Sequence, residues 1–380
     1  MKFLRSALAV AAATSIALGA APAIAQAAPV SAAQAAGQAP VGVVKNWDAN
    51  PAPKAINTGE TAKWVHEVDH DKVWAFWVHS PSMGRDIPVA VIPARNAQGQ
   101  PVKNAPTVYL LNGAGGAEQN NDWLTYAETQ KFYADKGVNV VIPMEGAFSY
   151  YTDWLNTPNA KYFRGPQKWE TFLTKELPGP IENRLGADSR RAVVGFSMSG
   201  TSALVLPTKV PGFYDAAASF SGCAATSSPA GYNFARLTVN RGAGSAANYQ
   251  TVTPEQMWGP MGGPYNRAND ALVNADKLRG TNLYVSTATG LASENDMVST
   301  LVGKGAQVPA ASANAMVLQV EGGVIEAAIN TCNHDLKAKL NSLNIPAHYE
   351  FRNVGTHSWP DWRKDLENSW YKTIKPAFGM

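Results

Sequence analysis

The sequence predicts an α/β fold with a mostly parallel central sheet and helices on both faces. Continuous apolar runs at 107–111 and 138–142 are typical of parallel strands that are covered on both sides, and a short strand-like run also ends at Gly195. Helix-compatible segments separate these runs, and such alternation favours a parallel sheet. Of the 380 residues, 45% are hydrophobic and 16% are charged, a composition that suits a packed globular chain.

The N-terminus has the layout of a cleavable secretory signal over residues 1–25. Lys2 and Arg5 precede an apolar run rich in Ala and Leu, and small-residue cleavage sites close that run. We therefore expect a secreted or cell-envelope associated protein, with an uncleaved membrane anchor as the alternative. Residues 26–62 are rich in Ala, Pro, Gln and Gly, which predicts a flexible extension before a folded domain at 63–380.

The remaining elements follow in an order that alternates strands and helices. Partial alternation predicts antiparallel strands at 64–78 and 86–93. Further predicted elements are helices at 123–136, 168–185 (interrupted by Pro178) and 324–343, and strands at 214–220, 282–286 and 347–353. The stretches 222–280 and 288–322 lack this pattern, so we expect surface excursions near a site and no separate domains.

The stretch 191–200 predicts a nucleophile elbow. A strand-like run ends in Gly195, then Ser197 stands between bulky neighbours, and small residues precede a helix-compatible run. Ser199 occupies the position where the strict G-x-S-x-G pattern has its second glycine, and Gly200 comes one residue late. With the order of elements, this turn indicates an α/β hydrolase with Ser197 as nucleophile.

A serine nucleophile needs a base, and α/β hydrolases place their histidine after the serine and the acid. The histidines after Ser197 are His334, His348 and His357. His334 falls in a predicted helix and His348 inside the last strand. His357 follows that strand in a loop, so it is the predicted base.

The acid that orients the histidine is not fixed by spacing. Glu294 and Asp296 follow the strand at 282–286, where the acid usually lies. Glu326 instead begins the long helix, where the helix dipole would favour its charged form. All three carboxylates remain open on the pattern alone.

Two backbone N–H groups are expected to stabilise an oxyanion. Met198 supplies one because it follows the nucleophile, and Ala114 supplies the other from the loop after the strand at 107–111. The glycines at 113–116 lack the spacing of a phosphate loop and a following Lys-Ser/Thr pair. We therefore expect no nucleotide at this loop.

No cofactor, metal or nucleic acid is expected. His66, Glu67 and His70 match the H-E-x-x-H pattern of zinc proteases, but the segment is short and adjoins a strand-like pattern, which favours charged turn residues. The formal net charge of +3 is small, so no nucleic-acid or anionic-membrane partner is indicated.

Two further features concern packing. In an exported chain, Cys223 and Cys332 can form a disulfide, with two buried free thiols as the alternative. The segment 148–169 is dense in aromatic residues, which is compatible with a sugar or lipid site and equally with a packed cap over the sheet.

Several segments together make the chain resemble the secreted mycolyltransferases of the antigen 85 family. They lie at 80–87, 109–111, 168–174, 195–200, 257–260 and 355–359, in the order of that family. The corynomycolate branch is the most similar. The resemblance covers nearly all of the chain after residue 80.

The resemblance implies an acyltransferase that takes a mycolyl group from trehalose monomycolate through an acyl-serine intermediate. It implies Ser197 as nucleophile, His357 as base, Met198 and Ala114 as oxyanion donors, and Glu326 as acid, with Glu294 as the second choice. It also implies substrate-binding roles for Asn112, Ser358 and Trp359. The implied partners are trehalose monomycolate and a glycolipid or cell-wall acceptor.

Two departures from the family affect the substrate site. The family's aspartate and arginine that hold trehalose correspond here to Asn112 and Gly115, so both charges are missing. The stretch 288–322 is also longer than in the family, which predicts a differently shaped acyl channel. A secreted serine esterase with the same residues, and a wall-bound binding protein that does not use them, are the alternative functions.

Overall fold

One mixed sheet organises the chain. The computed structural model describes residues 40–244 and 252–380, so the predicted signal at 1–25 lies outside the described residues. Within that part nine strands pair in the order β1-β2-β3-β5-β4-β6-β7-β8-β9. The strands are β1 (Val43–Asn46), β2 (Trp74–Ser80), β3 (Arg85–Ile92), β4 (Thr107–Leu111), β5 (Asn139–Pro143), β6 (Arg191–Phe196), β7 (Ala216–Phe220), β8 (Asn282–Ala288) and β9 (Ala347–Arg352).

The sheet is antiparallel at one edge and parallel elsewhere. The pairs β1/β2, β2/β3 and β3/β5 are antiparallel. The pairs β4/β5, β4/β6, β6/β7, β7/β8 and β8/β9 are parallel. The carboxyl ends of β6, β7 and β8 therefore meet at one edge of the sheet, where α/β proteins place their sites. The predicted α/β-hydrolase fold with a mostly parallel sheet is confirmed.

Helices cover the sheet. The α-helices are α1 (Trp123–Tyr126), α2 (Thr129–Tyr133), α3 (Trp169–Thr171), α4 (Pro178–Leu185), α5 (Met198–Lys209), α6 (Pro229–Arg241), α7 (Pro254–Trp258), α8 (Pro264–Ala268), α9 (Val298–Gly303), α10 (Val308–Val317), α11 (Gly323–Ser342), α12 (Trp359–Ser369) and α13 (Lys375–Ala377). Short 3₁₀ helices occur at Lys63–Glu67, Ala117–Gln119, Ala275–Leu278 and Glu294–Asp296, and short π-helices at Phe172–Glu176, Leu318–Gly322 and Trp370–Ile374.

Two hydrophobic cores lie on the two faces of the sheet. Successive residues of a strand point to opposite faces. In β4, Tyr109 and Leu111 accordingly join one core, whereas Val108 and Leu110 join the other. All of β4 is buried, which explains why this strand is continuously apolar in sequence.

The prediction of a flexible extension at 26–62 is wrong for its last part. Val43–Asn46 form β1 and pair with β2, and Ala55 and Ala62 are buried. Four residues at a sheet edge carry too little periodicity to be recognised as a strand. The strand predicted from residue 64 begins only at Trp74, because Lys63–Glu67 form a 3₁₀ helix.

The predicted helices are present with different limits. The segment 123–136 holds α1 and α2, separated at Glu128, whose φ is 49°. Pro178 does not break the segment 168–185, because it occupies the first position of α4, where the missing N–H costs no hydrogen bond. The helix predicted at 324–343 is α11, and the π-helix Leu318–Gly322 joins its N-terminal end to α10.

The two predicted excursions contain several helices. Helices α6 to α8 lie in the first, within its described residues, and α9 and α10 lie in the second. Among the described residues, we find no helix with both the length and the apolar character needed to cross a membrane.

Candidate active site

Ser197 sits at a sharp turn between β6 and α5. Its φ of 57° and ψ of −125° lie in a strained region for a residue with a side chain. The Ser197 N–H donates to the Phe220 carbonyl at 2.8 Å, which holds the turn against β7. A Cβ on Gly195 would stand 2.2 Å from the Ser199 carbonyl oxygen, so only glycine fits there. This is the geometry of a nucleophile elbow.

The departure from the strict G-x-S-x-G pattern has a structural reason. The buried Ser199 hydroxyl donates to the Leu111 carbonyl at 2.8 Å and accepts from the Phe196 N–H at 3.0 Å. The serine thus connects the ends of β4 and β6. Gly200 then takes the close approach to β7, since a Cβ there would lie 2.8 Å from the Phe220 carbonyl oxygen.

Ser197, His357 and Glu326 form one hydrogen-bonded chain. His357 Nε2 lies 2.7 Å from Ser197 Oγ, and His357 Nδ1 lies 2.8 Å from Glu326 Oε2. His357 follows β9 in a loop, and its backbone N–H donates to the Gly322 carbonyl at 3.2 Å. A serine, a base and an acid in this order can perform nucleophilic catalysis.

Glu326 is almost completely buried, at 1% exposure, and the protein supplies its hydrogen bonds. Its Oε1 accepts from Ser221 Oγ at 2.9 Å, from Thr287 Oγ1 at 3.0 Å and from the Ala288 N–H at 2.8 Å. Because the helical run continues back to Val308, Glu326 does not face a free helix N-terminus as the sequence suggested. These three hydrogen-bond donors stabilise the Glu326 carboxylate, which the sequence had suggested the helix dipole would do.

The other candidate acids do not contact His357. Glu294 is exposed on the surface, so its choice as second candidate is wrong. Asp296 is buried and accepts from Thr356 Oγ1 at 2.8 Å. It therefore fixes the residue before His357 and contributes to the position of the base.

The two expected oxyanion donors lie near Ser197. Met198 is the first residue of α5, where a backbone N–H has no intrahelical partner. Ala114 lines both cavities that reach Ser197. The Phe148 N–H donates to the Ala114 carbonyl at 2.7 Å, which fixes this loop.

Two cavities meet at Ser197. The first, which we call the open cleft, has a volume of about 960 Å³. Its lining includes the charged or polar residues Gln119, Asn121, Arg241, Asn295, Lys304, Asn314, Glu321, Ser358 and Arg363, together with Tyr126, Trp359 and Trp362. Tyr126 and Trp359 stack with ring centroids 5.5 Å apart.

The second cavity, which we call the apolar channel, has a volume of about 470 Å³ and runs between α6 and α11. Its apolar lining includes Phe234, Leu237, Val320, Val324, Ile325, Ala328 and Ile329. An ion pair between Arg241 and Glu321 lines both cavities, so it marks their junction. A cleft of mixed polar and apolar lining and a mainly apolar channel thus meet at Ser197.

The three expected substrate-binding residues have different fates. Asn112 is buried: its amide donates to the Pro143 carbonyl at 3.1 Å and accepts from the Trp123 N–H at 3.1 Å. These hydrogen bonds connect the end of β4 to β5 and α1. Asn112 lines neither cavity at Ser197, so the predicted substrate contact is wrong. Ser358 and Trp359 do line the open cleft, and Trp359 Nε1 donates to Asn121 Oδ1 at 2.7 Å.

The aromatic segment mainly forms a packed cap. Tyr151, Trp154 and Trp169 are buried in the core, whereas Phe148 reaches the open cleft and Tyr150 the apolar channel.

Cys223 and Cys332 form a disulfide that joins the segment after β7 to α11. This bond, which the sequence left open against two free thiols, ties the helix that carries Glu326 to the segment after β7.

The H-E-x-x-H pattern does not lie on one helix. His66 belongs to the 3₁₀ helix Lys63–Glu67, whereas His70 lies beyond it with a φ of 61°. In the described part of the chain, no group of three or more His, Cys, Asp or Glu side chains is arranged to hold a metal ion.

One buried carboxyl group beside the oxyanion loop was not expected from the sequence. Glu118, in the 3₁₀ helix after that loop, accepts from the Ala147 N–H at 2.6 Å. Burial, and then the nearby charge of Glu145, raises the pKa of Glu118 to about 8. No local pattern reveals this, since burial depends on the packing of segments that are distant in sequence.

The sheet order, the elbow at Ser197 and the hydrogen-bonded histidine define a protein of the α/β-hydrolase class. A family profile described as Esterase matches residues 80–371. The chain belongs to this esterase family and, within it, to the antigen 85 mycolyltransferase family.

Two relatives and one solved structure support this placement. The diacylglycerol acyltransferase/mycolyltransferase Ag85A of Mycobacterium tuberculosis is 31% identical over 306 residues, which is 80% of each chain. The Ag85B protein of Mycobacterium intracellulare is also 31% identical, over 80% of this chain and 82% of that protein. The crystal structure of MPT51 from Mycobacterium tuberculosis aligns with a TM-score of 0.57 and 25% identity, covering 79% of this chain and 96% of that one.

Proposed function

We propose that the protein is a serine acyltransferase that moves a mycolyl or corynomycolyl group from trehalose monomycolate to a second trehalose monomycolate or to another envelope hydroxyl. The observation that carries this proposal is the hydrogen-bonded chain of Ser197, His357 and Glu326 at the junction of the two cavities. The names of the antigen 85 relatives, which describe acyl transfer, support the same reaction.

Each cavity fits one part of such a substrate. The apolar channel suits the acyl chain, because its walls between α6 and α11 are aliphatic and aromatic. The open cleft suits the sugar, since polar side chains converge there beside the stacked rings of Tyr126 and Trp359. With Asn112 buried and glycine at position 115, polar contacts to the sugar come from side chains such as Gln119, Asn121 and Arg363.

The first half of the reaction forms the acyl-enzyme. Ser197 Oγ attacks the ester carbonyl while His357 Nε2 takes the hydroxyl proton. The Met198 and Ala114 N–H groups stabilise the oxyanion. The tetrahedral intermediate then collapses, the bond to the trehalose oxygen breaks, and that oxygen takes the proton from His357.

The second half transfers the acyl group. An acceptor hydroxyl gives its proton to His357 and attacks the acyl carbonyl, after which Ser197 leaves and recovers the proton. Glu326 keeps His357 in the required tautomer and stabilises its charged form.

A secreted carboxylesterase with the same residues is the second candidate, because water can replace the acceptor in the second half.

Mass analysis of the products separates the two candidates. The purified protein is incubated with trehalose monomycolate, and Ser197→Ala serves as the control. Trehalose dimycolate that is absent with the variant supports transfer. Free acid as the single product supports the esterase, and equal activity of both proteins contradicts the role of Ser197.

We also propose that the mature protein lies outside the cytoplasmic membrane, which N-terminal sequencing of the exported protein tests.

A further inference from the structure

The mouth of the apolar channel opens onto an exposed apolar face. We define this face by Val308, Met316, Val317, Val320 and Val324 of the helical run from α10 into α11, with Leu237 of α6. Each of these side chains is 51–70% exposed. On a globular protein such a helix normally turns polar residues outward, so a surface of this kind indicates an interaction site.

The sequence of the run reinforces this. Residues 305–320 include no charged side chain, although α10 is exposed except at Ala311 and Ala315. Met316, Val320 and Val324 follow one another at four-residue spacing and therefore share a side of the helical run. An exposed helix that bears no charge and aligns its apolar residues is suited to a non-aqueous neighbour.

The face is continuous with the channel. Leu237, Val320 and Val324 line the apolar channel and are at the same time 64–70% exposed. Apolar side chains therefore continue from the channel to the surface, and the exposed Arg241–Glu321 ion pair lies beside them in the channel lining. Whatever covers the face also covers the entrance for an acyl chain.

We propose that this apolar face docks the protein onto a lipid layer, so that acyl chains pass from the layer into the channel. This inference rests on the proposed function in one respect, the entry of an acyl chain by this mouth. A protein partner seated here would close the mouth. The face also consists of aliphatic side chains and Met316 alone, whereas the energetic centres of protein interfaces are enriched in Trp, Tyr and Arg.

Vesicle binding tests the proposal. The full-length mature protein is mixed with phosphatidylcholine vesicles, and the bound fraction is measured by co-sedimentation. The double variant Val308→Asp/Met316→Asp adds charge to the face without altering either cavity, since neither residue lines one. The control is Val273→Asp/Met261→Asp, at two apolar residues that are 38% and 49% exposed elsewhere on the chain.

We expect the partition coefficient of the face variant to fall at least tenfold, while the control binds like the wild type. Hydrolysis of a soluble short-chain ester should be equal in all three proteins, which also shows that the variants fold. Equal vesicle binding by wild type and face variant would overturn the proposal. So would a wild type that does not bind vesicles, or a dimer in light scattering that the face variant alone abolishes.

A second measurement reports the contact directly. Met316→Cys carries an environment-sensitive fluorophore, and Met261→Cys is the matched control; the native cysteines are already paired. Vesicles should shift the emission of the label at 316 to the blue and leave that at 261 unchanged. No shift at 316 would contradict docking by this face. Ser197→Ala should bind vesicles normally, so failure of the proposed reaction can be told apart from failure of docking.

Discussion

The hydroxyl of Ser221 donates to Glu326 at 2.9 Å and accepts from Trp362 Nε1 at 3.1 Å. Ser221 follows β7, Glu326 lies in α11, and Trp362 lies in α12. One side chain thus connects the acid to the helix that packs against His357, whose ring centroid lies 4.9 Å from that of Trp362. The acid is held by a network that spans three separate parts of the chain.

Removal of this hydroxyl should slow the reaction without unfolding the protein. Ser221→Ala deletes one hydrogen bond to a charged acceptor, a contact worth roughly 1.5–3 kcal/mol, so we expect kcat to fall roughly tenfold or more. The matched control is Ser219→Ala, a buried serine of β7 whose hydroxyl has no hydrogen-bond partner among the described residues. Steady-state kinetics on a soluble ester makes the comparison. An equal effect of both variants would contradict a specific role of Ser221.

Loss of the carboxylate itself should have a larger effect. Glu326→Gln leaves the shape of the side chain intact but cannot hold His357 in the required tautomer, so kcat should fall by roughly 10³–10⁴-fold. Glu294→Gln should leave kcat unchanged because this carboxylate is exposed and does not contact His357. The same soluble ester assay checks both variants. An unchanged kcat for Glu326→Gln together with a large loss for Glu294→Gln would instead identify Glu294 as the acid.

The disulfide should contribute to stability. Cys223 and Cys332 are separated by 109 residues, and closing so long a loop restricts the unfolded chain. We expect Cys223→Ser/Cys332→Ser to lose about 2–5 kcal/mol of unfolding free energy. Urea unfolding followed by circular dichroism measures this loss. Reduction of the wild type should shift the midpoint similarly, and an unchanged midpoint under both treatments would contradict the prediction.

Stability should depend on pH through Glu118. Its ordinary pKa of 4.5 applies to the unfolded chain, and burial raises the pKa of the folded state to about 8. Between these values the folded state holds a proton that the unfolded state has released, so the unfolding free energy falls as pH rises from about 4.5 to about 8. Urea unfolding across that pH range should show a shallower decline for Glu118→Gln. Glu60→Gln, at an exposed position, is the control. If the unfolding free energies of the wild type and Glu118→Gln change with pH in parallel, Glu118 is not the source of the pH dependence.

The sequence was sufficient for the parts of the site that local pattern determines. Ser197 is marked by a strand, a glycine and small residues within ten positions, and His357 by its place after the last strand. The alternation of strands and helices was likewise enough for the fold class. These features depend on near neighbours and on chain order, both of which can be read directly.

The candidate acid and the proposed sugar contacts depend on tertiary packing. The donors to Glu326 come from Ser221, Thr287 and Ala288, so spacing alone could not separate it from Glu294. Asn112 follows β4 at the expected position, but hydrogen bonds to Pro143 and Trp123 turn its side chain into the core. The sequence gives the place of such a residue along the chain and leaves the direction of its side chain open.

The proposed reaction requires an acyl group carried by Ser197. Intact-mass analysis after brief exposure to trehalose monomycolate, followed by peptide mapping, tests this most directly. We expect a mass increase equal to the acyl group, located on the peptide that contains Ser197, absent from Ser197→Ala and discharged when an acceptor sugar is added. Acylation of a different residue, or sustained turnover by Ser197→Ala, would contradict an acyl-enzyme intermediate on Ser197.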